Sequence, residues 1–308
     1  MQDVMIIGSG PAGLSAAVYS KRAGLTMLVI EKNAMSGGQV LNTDKVDNYL
    51  GIPGINGFEL GMKFRSHAEE MGAVFRTGEV KSISGEKGRW IVTVHDGAEE
   101  TVYETKTVII AAGASHALLH VPGEERLTGR GVSYCATCDG AFFREKNVAV
   151  VGGGDVAVED AIFLSRICSE VVLIHRRDSL RAAKSLQEAL FQCANVKVIW
   201  DSVVEEICGD EKVEALKVRC LKDDTCQMFK TDGVFIAVGL LPNTEPFRDI
   251  VACDEKGYII AGEDCATQTA GIFAAGDIRT KRVRQIITAA ADGAAAIAAV
   301  EGFLLQGY

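Results

Sequence analysis

Residues 133–140 read SYCATCDG, which sets Cys135 and Cys138 in a CxxC spacing with Asp139 directly behind. Such a pair can close a small disulfide loop. It suits two-electron chemistry, because one thiolate attacks a disulfide while the other resolves the mixed intermediate. The chain has nine cysteines in 308 residues, and a chance CxxC pair turns up in roughly one such chain in four, so context must decide. Zinc would need two further ligands. The other cysteines, at 168, 193, 208, 220, 226, 253 and 265, are scattered, with no second CxxC and no paired histidines, so no metal site is expected. A loop this short removes little unfolded-state entropy, which disfavours a purely structural bridge.

Two other groups of residues could hold a ligand. In GSGPAG, Gly8, Gly10 and Gly13, with Ser9, Pro11 and Ala12 between them, follow the apolar run Val4 to Ile7 and precede a helical stretch, Leu14 to Ala23. A second apolar run, Thr26 to Ile30, ends in Glu31, about twenty residues past the glycines, where an acid can bond a ribose 2′-hydroxyl. Gly8 permits the tight turn, Gly10 lets a pyrophosphate reach the backbone, and Gly13 allows close helix packing. The pattern then recurs. Asn147 to Val151 is an apolar strand, GGGDVA places Gly152, Gly154 and Ala157 in GxGxxA spacing around Asp155 and Val156, Val156 to Arg166 reads as helix, and Val171 to Ile174 as strand. This time the strand runs into His175, Arg176 and Arg177, with Arg181 further on. Arginines in place of the acid suit a 2′-phosphate, since guanidinium offers paired planar donors; a solvated basic face is the plainer alternative.

The elements that must position these residues can be read around them. SGGQ at 36–39 is followed by a long irregular stretch, Asn42 to Gly57, then by an amphipathic helix, Met62 to Gly72. Val80 to Ile83, Arg89 to Asp96 and Thr101 to Tyr103 alternate as a small meander, and Thr107 to Gly113 reads as a buried strand. Gly233 to Gly239 repeats that apolar-to-glycine form. Beyond Pro242, Gly257 to Ile260 and Gly271 to Asp277 read as strands and Gln285 onward as a helix. This tail completes the first module, with Asp277 placed to hold cofactor hydroxyls or to cap a turn. The expected fold is α/β, with two Rossmann-like (three-layer ββα) dinucleotide-binding domains, one inserted into the other: 1–113 with 243–308, and 114–242.

The formal net charge of −9 and pI near 5.2 leave no basic stripe for nucleic acid. No charged segment followed by a cleavable apolar one opens the sequence, which predicts a cytoplasmic protein. The apolar stretch Gln285 to Leu305 is interrupted by Asp292 and Glu301 and suits a packed helix rather than a membrane span.

Taken together, GSGPAG, GGQ, CATCDG, GGGxxA, HRRxxxR, AAGD and RQ before a small-residue helix resemble the low-molecular-weight thioredoxin reductases over essentially the whole chain. The resemblance implies a homodimeric flavoprotein in which electrons pass from NADPH to FAD, to the Cys135–Cys138 disulfide, and to thioredoxin or a thioredoxin-like protein. Cys138 would face the flavin, Cys135 would attack the substrate disulfide, and Asp139 would handle protons; a turn or cap role for Asp139 stays open. FAD would be held by Gly8, Ser9, Gly10, Pro11, Ala12, Gly13, Glu31, Gly38, Gln39, Asn48, Gly113, Gly276, Asp277, Arg284, Gln285 and Ile286. NADPH would be held by Gly152, Gly154, Asp155, Val156, Ala157, His175, Arg176, Arg177 and Arg181. The inserted domain is expected to rotate about residues 113–122 and 239–243, so that one flavin serves both nicotinamide and dithiol. DNYLGIPGINGF at 47–58 departs from the commonest family pattern. Relatives that fit less well are the flavoprotein of alkyl hydroperoxide reduction, which carries an extra N-terminal dithiol domain, and ferredoxin-dependent or small-molecule dithiol flavoproteins, which tend to lose the arginines. A flavin-bound redox sensor without turnover is the reading from another class.

Overall fold

In the computed structural model, which describes residues 1–43, 46, 48–97 and 99–307 except the side chains of Asn42 and Cys138, the first apolar run is a strand, Gln2–Ile7, buried from Val4 onward. It pairs in parallel with Met27–Glu31 on one side and with Glu99–Ile110 on the other, Ile6 lying opposite Val29 and Ile109. The helix Pro11–Arg22 makes the crossover. Phe75–Thr77 extends the sheet beyond Met27–Glu31, and Ile272–Ala274, from the far end of the chain, pairs in parallel with Glu99–Ile110. Alternate residues face opposite layers. Val4, Ile6, Val29 and Ile109 pack on helical side chains such as Leu14, Ala17 and Ile297. Met5, Ile7, Leu28 and Ile110 pack on Trp90 and Val92 of an antiparallel meander and on Phe247. Both faces are covered, which is why these strands read as unbroken apolar runs.

Three local expectations change. Thr101 to Tyr103 and Thr107 onward are one strand, Glu99–Ile110, whose first half pairs antiparallel with Arg89–Asp96 and whose second half joins the parallel sheet. The polar break at 104–107 is tied down locally: Lys106 pairs with Asp3 at 2.7 Å and the Thr107 hydroxyl donates to the Asp3 carbonyl. Gly257 to Ile260 is not a strand; Ile259 makes only single bridges to Cys253 and Arg279. The helix expected from Met62 begins earlier, as Gly57–Glu70, because the Asn56 side chain accepts from the Phe58 and Glu59 amides and fixes its start. In the preceding stretch Val46 bridges Ile55, while residues 44, 45 and 47 lie outside the described set.

The chain divides into two units, Met1–Ser115 with Leu241–Tyr308, and His116–Leu240. The second repeats the plan of the first. Asn147–Gly152 pairs in parallel with Glu170–Ile174 and Gly233–Ala237, and Val196–Ile199 and Val132–Ser133 form the outer strands. The helix Asp155–Ser165 covers one face through Ala157, Ala161 and Leu164. A separate three-stranded sheet, Ser202–Cys208, Ala215–Cys220 and Cys226–Lys230, covers part of the other through Val204, Ile207, Leu216 and Val218.

The helix Ile286–Leu304 is long and apolar enough by composition to cross a membrane. Its Gly293 lies so close to the first helix that a Cβ there would stand 2.2 Å from the Ala12 carbonyl oxygen, and Ala296, Ile297 and Val300 join the core beneath. The small residues serve that contact.

Candidate functional site

In the first unit the ligand-suited residues collect where parallel strands end, the edge at which open α/β sheets bind ligands. Gly8 follows Gln2–Ile7, Glu31 closes Met27–Glu31, Gly113 follows Glu99–Ile110, and Gly276 follows Ile272–Ala274. Gly8 has φ +100°, and a Cβ there would stand 2.5 Å from the Ala111 carbonyl oxygen; one at Gly13 would stand 1.9 Å from the Gly8 carbonyl oxygen. Both glycines let the first helix approach the strand. At Gly10, the N-cap, a Cβ would meet only the Gly38 Cα at 3.9 Å, and no side chain caps the helix. A cradle with free helix-terminal amides faces outward there, which fits a pyrophosphate.

Glu31 is firmly held. One carboxylate oxygen accepts from the Ser9 amide and hydroxyl at 2.8 and 2.7 Å, and the other from the Asn33 amide and side chain at 2.9 and 3.0 Å. The Gln39 side chain donates to the Ala114 carbonyl, and Asn48 donates to Gln285 at 2.8 Å, bringing the irregular stretch to the start of the terminal helix, where Gln285 and Thr288 form a capping box and Ile286 packs beside Val40 and Leu60.

Among the described residues three buried side-chain atoms have no hydrogen-bond partner, and two belong to this set: Asp277 Oδ1 and Arg284 Nε. Burial raises the Asp277 pKa, against the opposing pull of Lys281 and Arg284. The Arg284 guanidinium lies 4.0 Å from the centre of the Tyr258 ring. Buried polar atoms are rarely left unpaired, so a donor and an acceptor from outside the protein are called for, and a flavin dinucleotide carries both. Asp292 holds the turn beneath. Its carboxylate accepts from the Gly276 amide at 2.9 Å, from Arg279 at 2.8 and 2.7 Å, and from Lys281 at 2.9 Å.

In the second unit Gly152 stands where Gly8 does: a Cβ there would lie 2.4 Å from the Ala237 carbonyl oxygen. Gly154, the uncapped start of Asp155–Ser165, has open space, as Gly10 nearly does. The basic run folds back over this loop. The Arg181 amide donates to the Gly153 carbonyl at 2.7 Å, and Asp155 accepts from the Ala183 amide at 2.8 Å. His175 is buried under Gly153, its ring edge-on to Trp200 and its Nε2 3.1 Å from the Ser179 carbonyl oxygen. Burial lowers its pKa, which marks it as a neutral packing group of the loop. Val156, Arg176, Arg177 and Arg181 are exposed, and none of the three guanidiniums forms an ion pair among the described residues. Free cations beside a glycine cradle fit a phosphorylated ribose.

Cys135 follows the outer strand Val132–Ser133 on the same sheet edge, caps the short helix Ala136–Asp139, and is disulfide-bonded. Its pairing with Cys138 falls on a side chain outside the described set. Asp139 Oδ2 accepts from the Ser133 hydroxyl at 2.6 Å, and the Cys135 amide donates to the same hydroxyl oxygen at 3.1 Å. The Thr137 hydroxyl lies 3.4 Å from Cys135 Sγ.

Residues that the sequence did not single out are Ser133, Thr137, Asn243 and, as a site residue, Asp292. Asn243 ties the ends of two distant segments, donating to the Ala112 carbonyl at 2.8 Å and accepting from Ser115 at 2.9 Å. The signal for Asp292 was present, as an acid in the most apolar helix of the chain.

The family model described as pyridine nucleotide-disulphide oxidoreductase matches residues 2–293. A thioredoxin reductase of Listeria innocua is 47% identical over 292 residues, covering 94% of this chain and 90% of its own. One of Bacillus subtilis is 46% identical over 304 residues, covering 98% and 94%. The crystal structure of Lactococcus lactis thioredoxin reductase superposes with a TM-score of 0.80 at 42% identity, over 99% of this chain and 100% of that one.

Proposed function

Since the chain belongs to the pyridine nucleotide-disulphide oxidoreductases, among their thioredoxin reductases, we propose that it reduces the disulfide of thioredoxin, or of a thioredoxin-like protein, at the expense of NADPH. The observation that carries this is the disulfide-bonded Cys135 on the same strand-end edge as the Gly152–Ala157 fingerprint and its arginines, which form no ion pair among the described residues. FAD bound by the first domain, 1–113 with 243–308, supplies a two-electron carrier between nicotinamide and disulfide.

The protein's own groups do the rest. The amides at the start of Pro11–Arg22 receive the pyrophosphate, Glu31 with Ser9 sets the ribose end, and Asp277 and Arg284 pair their free atoms with the cofactor. In the second domain, 114–242, Arg176, Arg177 and Arg181 hold the 2′-phosphate. Cys135 attacks the partner's disulfide, Cys138 resolves the mixed disulfide, and Asp139 carries a proton between the sulfurs. The second domain turns about its two chain crossings between the half-reactions; a crosslink between the domains should stop turnover, and full activity in the locked protein would exclude the rotation. The enzyme acts as a homodimer, readable by sedimentation velocity, with the exposed Phe58 and Met62 of one helix face available for burial. We place it in the cytoplasm, where the seven free cysteines among the described residues stay reduced.

The test is anaerobic. NADPH should bleach the flavin absorbance rapidly and NADH slowly, and NADPH oxidation should continue only when oxidised thioredoxin is supplied. Arg176→Ala with Arg177→Ala should raise the KM for NADPH by roughly one to two orders of magnitude, the worth of lost charge-assisted hydrogen bonds, with little change for NADH. Equal use of both nucleotides by the native protein would remove the arginines' role. If neither bleaches the flavin, a ferredoxin-driven reductase takes its place.

A further inference from the structure

Ser133 is a buried serine, 5% exposed, on a strand locked into the sheet opposite Phe235. Its hydroxyl sits among three groups of the dithiol segment: Asp139 Oδ2 at 2.6 Å, the Cys135 amide at 3.1 Å and the Cys135 carbonyl oxygen at 3.3 Å. A hydroxyl has one proton to donate. The carboxylate oxygen, much the nearer and the stronger acceptor, takes it, and the Cys135 amide fills a lone pair on the other side. Asp139 Oδ1 is left without a hydrogen bond among the described residues. The two oxygens of this carboxyl are therefore unequal, and Ser133 makes them so.

We propose that Ser133 is the positioning residue of the proton-transfer step: it pins Asp139 through Oδ2, turns Oδ1 toward the work, and through the Cys135 amide keys that orientation to the attacking cysteine. The assignment rests on Asp139 being the proton carrier of the reaction above. The exchange is balanced as enzyme dithiol plus partner disulfide giving enzyme disulfide plus partner dithiol. The Cys135 thiolate forms a bond to one partner sulfur, the partner's S–S bond breaks, and the departing thiolate takes a proton. Attack by the second enzyme thiol on Cys135 then releases the other partner sulfur, so both protons that leave the cysteines end on the partner. Asp139 gives one of them from Oδ1 and is left ionised.

Several other groups could titrate nearby. The segment itself carries Cys135 and Tyr134, whose hydroxyl donates to Glu124 at 2.9 Å and whose ring stacks on His116. The helix Asp155–Ser165, packed against Ala136–Asp139, carries Asp155, Glu159 and Asp160, the last pushed up to about 7 by burial and by Glu159. The test must separate Asp139 from these.

Pre-reduced holoenzyme is mixed with oxidised thioredoxin, and its reoxidation rate is followed in the native protein, Ser133→Ala, Ser133→Thr, Asp139→Asn and the Ser133→Ala, Asp139→Asn pair. Ser133→Ala should slow reoxidation by about tenfold, the worth of one charge-assisted hydrogen bond, and Ser133→Thr should restore the rate. The loss should vanish when Asp139 is already asparagine, because the hydroxyl acts only through that carboxyl. A loss of the same size in the Asp139→Asn background, or no rescue by threonine, overturns the assignment. If Asp139→Asn leaves the rate unchanged, Asp139 is not the carrier and both readings fall. If Asp139→Asn slows reoxidation and Ser133→Ala does not, the Ser133 assignment falls by itself.

Discussion

Serine in place of Cys135 is expected to leave NADPH-dependent bleaching of the bound flavin intact and to lower thioredoxin reduction by about three orders of magnitude or more. The substitution removes the only disulfide bond in which a described cysteine takes part. Five of the seven described free thiols are poor substitutes. Cys168 and Cys265 are buried, with pKa values pushed by burial up to about 11 and about 12. Cys208, Cys226 and Cys253 are also raised, desolvation being the largest cause in each. A raised pKa keeps the sulfur as thiol, and the thiol is a poor nucleophile. Stopped-flow bleaching by NADPH, followed by steady-state thioredoxin reduction, separates the two halves. Survival of a substantial share of thioredoxin reduction would mean that electrons leave by another route.

The second large effect concerns stability and the flavin together. Asp292→Ala is expected to cost about 3–5 kcal/mol, because it leaves Arg279 and Lys281 buried without their carboxylate. These side chains are 10% and 7% exposed, and Asp292 itself 9%. The same change frees the Gly276 amide, whose residue has φ +82° and leads directly into Asp277, so flavin retention should fall along with the denaturation midpoint. Asp292→Asn, which keeps an acceptor for Gly276, should retain more flavin than Asp292→Ala.

The pH dependence has a definite sign. Burial pushes the Asp292 pKa up, but Arg279, Lys281 and the Gly276 amide outweigh it and the net shift is downward from 3.8. A carboxylate with a depressed folded-state pKa contributes stability that is fully present above its unfolded value and lost as pH falls through the folded one. The difference in urea midpoint between native protein and Asp292→Ala should therefore be constant near neutrality and shrink below about pH 4. A difference that grew on acidification would rule out this ion cluster as its source.

The candidate site was largely legible in the sequence because its residues stand in short spacings. The glycines at 8, 10 and 13 and at 152 and 154, the acid at 31, the arginines after Ile174 and the CATC loop each occupy a few consecutive positions, and one strand–turn–helix geometry gathers such spacings at a strand-end edge. Apolar runs did the same for the parallel strands, since a strand covered on both faces shows as an unbroken run. The meander of residues 202–230 was not legible, because its inward residues alternate with charges such as Glu205, Glu206, Lys217 and Arg219 and the segment reads as polar surface. The strand Glu99–Ile110 looked broken because only its pairing with the first strand gives Lys106 and Thr107 their partners. Pairings across space were hidden for the same reason: Ser133 reaches Asp139 through a bend, and Asp292 reaches Gly276 from another element. Local pattern determines which residue types meet a ligand; only the packed chain decides which buried atoms are already satisfied, and Asp277 Oδ1 and Arg284 Nε stand out because no hydrogen-bond partner reaches them among the described residues.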